Sequence, residues 1–295
     1  YLDPQLKALF CFGDQQIFLP HVYRWCRRRR IPFVAYVGTA HSLDSNFKSK
    51  VMNALFAAGT LRIYKKNPVL AKTSAAKEEL RQLGVPHAVI APVGLDNAVL
   101  KKNIPADEKM RLRKEHGFEA DDVILCNVSR LSWEKRPLEL IDLFLQVKGK
   151  KKFKLIIVGN GPLEEELNEK IRKNGLEKEV KIYPNVPYEK MWEIYEMSDY
   201  YLNMNKGEIF GMAIMEAVYY KTSVAAIRAL GPSVTLKDMK GHKLCENDDE
   251  MAEWITGPYP SEKDLQESSE KMAATFTWDR CADAFLQASS EKSSR

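Results

Sequence analysis

Four side chains of this sequence have types and spacing suited to holding a charged substrate: Arg130, Lys135, Glu208 and Glu216. Glu208 opens the apolar run Glu208-Ile209-Phe210-Gly211-Met212-Ala213-Ile214-Met215-Glu216, so the second carboxylate follows eight residues after the first. At ~1.5 Å of rise per helical residue the two acids can lie roughly 12 Å apart, about the span from ribose to hexose in a nucleotide-sugar. A helix starting at the Phe-Gly turn leaves its first N–H groups free to face the diphosphate between them. The interval alone distinguishes nothing, since Glu169 and Glu177, and Glu262 and Glu270, repeat it in plain charged stretches. Context separates the first pair: a strand pattern, Tyr200-Tyr201-Leu202-Asn203-Met204, a short polar loop, then Glu-x-Phe-Gly opening an apolar helix.

The two cations follow the strand pattern Val123 to Ser129, in Arg130-Leu131-Ser132-Trp133-Glu134-Lys135. That places them at the carboxyl edge of a parallel sheet, where ligands of open α/β sheets bind. One cation about 4 Å from a phosphate charge gains roughly 4 kcal/mol at an effective dielectric near 20, so fixed side chains can hold a diphosphate without a metal ion. Gly159-Asn160-Gly161-Pro162 makes a tight turn after Leu155 to Val158. Pro162 and the missing third glycine break the dinucleotide fingerprint, so the turn either lets a loop pass close to a nucleotide or is structural. His41, in Val37-Gly38-Thr39-Ala40-His41-Ser42, is expected at a sheet edge in the first part of the chain, as a cleft-facing or a structural histidine.

Behind these residues, short β-branched runs alternate with amphipathic helical runs, the pattern of parallel sheets covered by helices on both faces. The chain is therefore expected to be α/β. Strands are expected over 31–37, 88–92, 123–129, 154–158, 180–183, 200–204 and 223–227. Helices are expected over 48–58, 75–83, 137–147, 163–174, 188–197, 211–220, 249–256, 262–274 and 279–288. The polar stretch from Asn97 to about Lys109, with Pro105, is the expected linker. The first part offers few strands for a doubly wound sheet and the chain opens at Tyr1, so either an incomplete amino end or a naturally shortened first domain is expected.

With 295 residues, 45% of them hydrophobic, the chain can bury a large core in two domains, which excludes disorder. It has no apolar run of about 18 residues and no signal-peptide pattern. The five cysteines form no C-x-x-C and no zinc spacing, and are expected to be reduced cytosolic thiols. No Gly-x-Ser-x-Gly elbow is present. Charge is uneven: residues 1–106 carry 16 Lys and Arg against 6 Asp and Glu, and residues 107–295 carry 29 against 34. The excess includes Arg27-Arg28-Arg29-Arg30, read as cations at a helix C-terminus. It also includes Lys48 to Lys66, where basic residues mix with Val51, Met52, Leu55 and Phe56 and either face solvent or meet anionic lipid or a polyanionic acceptor.

Together these motifs resemble the retaining glycosyltransferases of family four, whose GT-B fold sets two Rossmann-like domains facing across a cleft. The resemblance is carried by Ser129-Arg130-Leu131 with Lys135, by Val158-Gly159-Asn160-Gly161-Pro162, by Glu208-Ile209-Phe210-Gly211 with Glu216, and by Gly231-Pro232. In the first part it is weaker, through Thr39-Ala40-His41-Ser42, Thr73-Ser74 and Pro92-Val93-Gly94-Leu95-Asp96. It implies a partial acceptor-side domain over 1–106, a nucleotide-sugar domain over 107–276, and a last helix within 277–295 that crosses back to the first domain. It implies that Arg130 and Lys135 bind the diphosphate and stabilise it as leaving group, and that Glu216 accepts hydrogen bonds from ribose. Glu208 and the amides of Phe210 and Gly211 would face sugar and phosphate, His41 would approach the hexose from the opposite domain, and the base would lie against Pro184-Asn185-Val186. The chain departs from the family in lacking its early glycine-rich loop. It also carries Asn203-Met204-Asn205-Lys206 where Pro-Ser is common, and Ala226 to Leu230 where Ser-Asp-x-Gly is usual.

The function so implied is metal-independent transfer of a hexose, with retention, from a UDP- or GDP-linked donor to a hydroxyl acceptor such as a glycan or lipid-linked glycan. No cofactor besides the donor and no nucleic-acid partner is expected. The expected location is the cytoplasm or the inner membrane face, with peripheral contact through the basic first part. The alternatives are a non-catalytic glycosyltransferase-like subunit that binds a partner or glycan, and a GT-B epimerase acting on a nucleotide-sugar.

Overall fold

The computed structural model describes residues 6–12, 18–38, 47–96 and 99–290. The chain forms two compact units, Tyr1–Gly94 with Phe276–Arg295, and Leu95–Thr275. The first unit runs through β1 (Leu9–Phe12), α1 (Leu19–Arg29), β2 (Phe33–Val37), α2 (Phe47–Ala58), α3 (Thr60–Tyr64), β3 (Val69–Ala71), α4 (Ser74–Gln82) and β4 (Val89–Ile90). Its strands lie in the order β1-β2-β3-β4, all parallel. Every residue of β2, Phe-Val-Ala-Tyr-Val, is buried, because a parallel sheet needs both faces covered. Phe33, Ala35 and Val37 pack among Leu19, Cys26, Tyr64 and Leu80 from the helices of one face. Helix α1 starts with a proline in its first turn and ends on Arg27, Arg28 and Arg29, so the arginine run sits where a helix dipole favours cations.

The second unit continues with α5 (Glu108–Glu115), β5 (Val123–Val128), α6 (Pro137–Val147), β6 (Phe153–Val158), α7 (Glu164–Lys173), β7 (Val180–Tyr183), α8 (Met191–Met197) and β8 (Tyr200–Asn203). It closes with α9 (Met212–Tyr219), β9 (Ser223–Ile227), α10 (Leu230–Thr235), β10 (Lys243–Cys245), α11 (Asp248–Thr256) and α12 (Glu262–Thr275). The sheet order is β10-β9-β8-β5-β6-β7, all parallel. The chain steps outward from β5 to β7, then returns to the other side of β5 and steps outward again. The order therefore reverses between β5 and β8, the switch point at which Rossmann sheets open a crevice for ligands.

Both ends of that junction are fixed by polar side chains. Backbone pairing between β5 and β8 covers Leu125 with Tyr200 and Cys126 with Tyr201, and beyond it the Asn127 side chain donates to the Leu202 carbonyl at 2.8 Å. At the other end Asp199 accepts from Lys109 Nζ (2.9 Å), Arg113 Nη2 (2.6 Å) and the Ile124 N–H (2.8 Å). Helix α5, which the sequence patterning did not predict, is anchored by those ion pairs and by Leu112 and Arg113, both buried.

The last helix, α13 (Trp278–Ser290), belongs to the first unit. Cys281, Ala284, Phe285 and Ala288 pack over Val34, Tyr36, Leu70 and Ala91, the face of the sheet opposite the other helices. Gly94 permits the crossing: a Cβ there would lie 2.0 Å from the Trp278 nitrogen. Among the described residues no helix is long and apolar enough to cross a membrane.

Candidate active site

Two loops at the carboxyl edge of the second sheet flank the switch point: the one after β5, carrying Arg130 and Lys135, and the one after β8, carrying Glu208. They meet in an ion pair, Lys135 Nζ to Glu208 Oε2 at 2.8 Å, both groups largely buried. Burial pushes the Glu208 carboxyl up, but the Lys135 hydrogen bond and charge, with help from Asn205 and Asn203, outweigh it and hold the group below the usual range. Glu208 is thus an anion whose counter-charge is built in.

The β5 loop is set by its neighbours. A one-turn 3₁₀ segment, Trp133–Lys135, leads to Arg136 in the left-handed region at φ 56°, a strained conformation for a side-chain-bearing residue. Arg136 is held there by Asp248 (2.8 and 3.1 Å), Glu139 (3.2 Å) and the Met204 carbonyl (3.3 Å), and so ties the β5 loop to the end of β8. Nothing in the sequence pattern singled out Arg136. Arg130, by contrast, is exposed, and among the described residues its side chain has no hydrogen bond.

Gly159 and Gly161 serve this loop through their lack of a Cβ. Gly159 sits at φ 137°, and a Cβ there would lie 1.9 Å from the Ser129 carbonyl oxygen; one on Gly161 would lie 2.4 Å from that of Leu131. The turn after β6 presses on the Ser129–Leu131 backbone, and Leu131 N–H donates to the Asn160 carbonyl at 2.9 Å. The two glycines shape the support beneath Arg130. Asn160 also reaches the loop after β7, donating to Asn185 Oδ1 (3.0 Å) and the Pro184 carbonyl (3.2 Å), with Val186 half-buried beside them.

The β8 loop is folded on its own side chains. Asn203 Oδ1 accepts the Asn205 N–H (3.0 Å), Asn205 Oδ1 accepts the Gly207 N–H (2.9 Å), and Asn205 Nδ2 donates to Glu208 (3.1 Å). Phe210 is buried against the start of α10, where Gly231 N–H donates to the Glu208 carbonyl at 2.8 Å. A Cβ on Gly231 would come within 2.5 Å of the Phe210 nitrogen. Gly211 then begins α9 in the left-handed region, φ 85°, with no side chain capping the helix start. The Ile214 and Met215 N–H groups donate to the Gly211 carbonyl (3.0 and 3.2 Å), and among the described residues those of Met212 and Ala213 stay available.

Glu216, on α9, is buried, and two tyrosines already donate to it: Tyr188 to Oε1 at 3.1 Å and Tyr195 to Oε2 at 2.7 Å. Burial raises its carboxyl above the usual range, against the lowering effect of both tyrosine bonds. Neither tyrosine was singled out from the sequence. Their placement on Glu216 depends on a 21- and a 28-residue separation that no local pattern reveals. His41 lies outside the described residues. Among the described residues no cluster of three or more His, Cys, Asp or Glu is placed to hold a metal ion. A surface depression lined by Glu139, Asp142, Asp248 and Asp249 carries mostly negative charge and suits a diphosphate poorly.

Comparison with known proteins bears on the fold and the family of this chain. The D-inositol 3-phosphate glycosyltransferase of Mycobacterium avium (strain 104) is 26% identical over 297 residues, covering 89% of this chain and 65% of the relative. The chain thus spans just under two thirds of that relative's length. Among solved structures, Anabaena Alr3699/HepE in complex with UDP superposes with a TM-score of 0.77 at 19% identity, over 98% of this chain and 79% of that one. Sucrose-phosphate synthase (tll1590) from Thermosynechococcus elongatus gives 0.75 at 16% identity, over 95% and 72%. These likenesses establish the GT-B architecture of two Rossmann-like halves. The family model described as glycosyl transferases group 1 matches residues 108–272, more than half of the sequence and the whole of the switch-point site, and the chain belongs to that family.

Proposed function

We propose that this protein transfers a hexose from a nucleoside-diphosphate sugar to a hydroxyl acceptor, with retention of anomeric configuration. The observation that carries the proposal is the Lys135–Glu208 ion pair bridging the two switch-point loops, beside an exposed Arg130 and an uncapped helix start at Gly211. In the transfer, the bond from the anomeric carbon to the diphosphate breaks as the acceptor oxygen bonds to that carbon from the same face. The acceptor proton passes to the departing diphosphate. Negative charge grows on that leaving group, so fixed positive groups aimed at it lower the barrier. Arg130 is the cation free to do this, and Lys135 joins it as a charge shared with Glu208. These two side chains and the dipole of α9 are assigned the part a divalent cation plays elsewhere.

Replacing Arg130 with Ala should lower transfer by about 10²–10³-fold with the fold intact. Near-wild-type transfer by the folded variant would refute the assignment. For the donor we favour a uridine nucleotide, because a superposing structure, Alr3699/HepE, was solved with UDP. A thermal-shift panel of UDP, GDP and ADP tests this, and preference for another base overturns it. Product analysis with a labelled donor separates transfer from a changed sugar without acceptor, the epimerase outcome, and from no turnover, the outcome for a non-catalytic subunit.

For the acceptor we favour a lipid-linked glycan at the inner membrane face. The support is the basic first part of the chain and the exposed Val51 and Leu55 on α2, close to Lys50. Vesicles containing anionic lipid should sediment the protein at low salt and release it as salt is raised. Equal binding to neutral vesicles would count against this contact.

A further inference from the structure

We infer that Tyr188 is the exchangeable cover of Glu216: its hydroxyl holds the place of a ribose hydroxyl and leaves when a nucleoside diphosphate binds. The inference rests on the assignment of Glu216 to ribose and adds a residue that controls access to it. The two tyrosines on this carboxylate differ in every property that matters for exchange. Tyr195 is 1% exposed, lies within α8, and is stacked on Tyr220 with ring centroids 5.9 Å apart and planes 9° from parallel. Its 2.7 Å bond to Oε2 cannot be broken without opening the core. Tyr188 is 43% exposed, sits on the one-turn 3₁₀ segment Tyr188–Lys190 after Pro187, and makes the longer bond, 3.1 Å to Oε1.

Glu216 itself is only 7% exposed, so a ligand reaches it past Tyr188, and Oε1 is the oxygen it can claim. A buried carboxylate oxygen without a donor is costly, which gives the tyrosine a reason to be there when the site is empty. A phenol and a ribose hydroxyl are both O–H donors. Exchange keeps Oε1 supplied with a donor and releases Tyr188 to solvent, and because a ribose brings two hydroxyls where the tyrosine brings one, the bound donor gains a net hydrogen bond. Tyr188 therefore competes with donor and sets how tightly the ribose is held.

The test is calorimetric titration of wild type, Y188F and E216Q with UDP and with 2′,3′-dideoxy-UDP, repeated with GDP. Wild type should prefer the ribose form, and E216Q should lose that preference. Y188F should bind the ribose form about three- to tenfold more tightly, the worth of one competing hydrogen bond, while its affinity for the dideoxy form stays unchanged. Unchanged or weaker binding of the ribose form by Y188F, with wild-type preference intact, overturns the exchange and leaves Glu216 on the ribose. Equal tightening of both forms also overturns it, since it would make Tyr188 a steric obstacle only. No preference in wild type, or no binding of either nucleotide, overturns the ribose assignment itself. Matching circular dichroism and melting temperatures establish that Y188F is folded.

Discussion

Glu208 shows how one side chain is made to carry charge where water is scarce. Its pair with Lys135 is half of a balance, and removing the cation leaves a largely buried anion without compensation. Lys135→Met should lower stability by about 1–3 kcal/mol in urea denaturation at neutral pH, discounted from a fully buried pair because water reaches both groups. The sign with pH follows from the depressed carboxyl. Its contribution is complete above the ordinary Glu range and is lost as pH falls through the folded value. In Lys135→Met that part of the acid dependence should disappear. A second titration runs through His242, whose Nδ1 accepts the Val224 N–H (3.0 Å), so the neutral ring carries its proton on the buried Nε2. Burial pulls its pKa down to about 4. The unfolded chain then takes up a proton near pH 6.5 that the folded one refuses, and stability should fall between pH 6.5 and 4 and level off below. His242→Gln should flatten that segment of the curve, and an unaltered curve would show that the ring is free to charge. Arg130, Lys135, Glu208 and Glu216 were legible from type and spacing along the chain. That Lys135 meets Glu208 across 73 residues, and that Tyr188 and Tyr195 cover Glu216, was not, because such contacts are written only in the sheet order.

Among the elements, those covered on one face by an apolar stripe or buried on both faces announced themselves. β5, β6, β8 and β9 fall within about two residues of their expected ends, as do α6, α7 and α9. α5 did not, because Glu-Lys-Met-Arg-Leu-Arg-Lys-Glu shows little apolar period and docks through charge on Asp199. β1 and β10 are four and three residues long, too short for a pattern to declare itself. The glycines carry a different kind of information, since their role is fixed by what a Cβ would strike. Gly159→Ala would put a methyl 1.9 Å from the Ser129 oxygen, and Gly231→Ala one 2.5 Å from the Phe210 nitrogen. Either should displace a site loop and cost about 3 kcal/mol or more, with loss of nucleotide binding. Gly149 and Gly175 share the positive φ of Gly159, yet have nothing within 4 Å. Alanine there should cost only about 1 kcal/mol of backbone strain and leave nucleotide affinity untouched. Equal effects at the four positions would show that the loops can move aside, and that the close approaches do not hold the site in shape.

At the scale of the whole chain, stability and donor binding should be separable, because they draw on different sets of contacts. The first unit completes its core with a helix from the far end of the sequence: Phe285 on α13 meets Phe10 at 5.1 Å and 65°, in the same cluster as Tyr36 and Leu70. Patterning over 279–288 predicts the helix, but the surface it covers is set by strands more than 200 residues away. The Lys135–Glu208 junction, the α9 start and the tyrosines on Glu216 all lie within Leu95–Thr275. Phe285→Ala removes a partly buried ring and an edge-to-face partner without touching any of them, and should cost about 2–4 kcal/mol. The melting temperature should therefore drop by several degrees, while UDP affinity measured well below the transition stays at the wild-type value. A parallel fall in affinity would mean that the returning helix is part of the donor site, and that the carboxylates and cations of the second sheet do not bind the nucleotide by themselves.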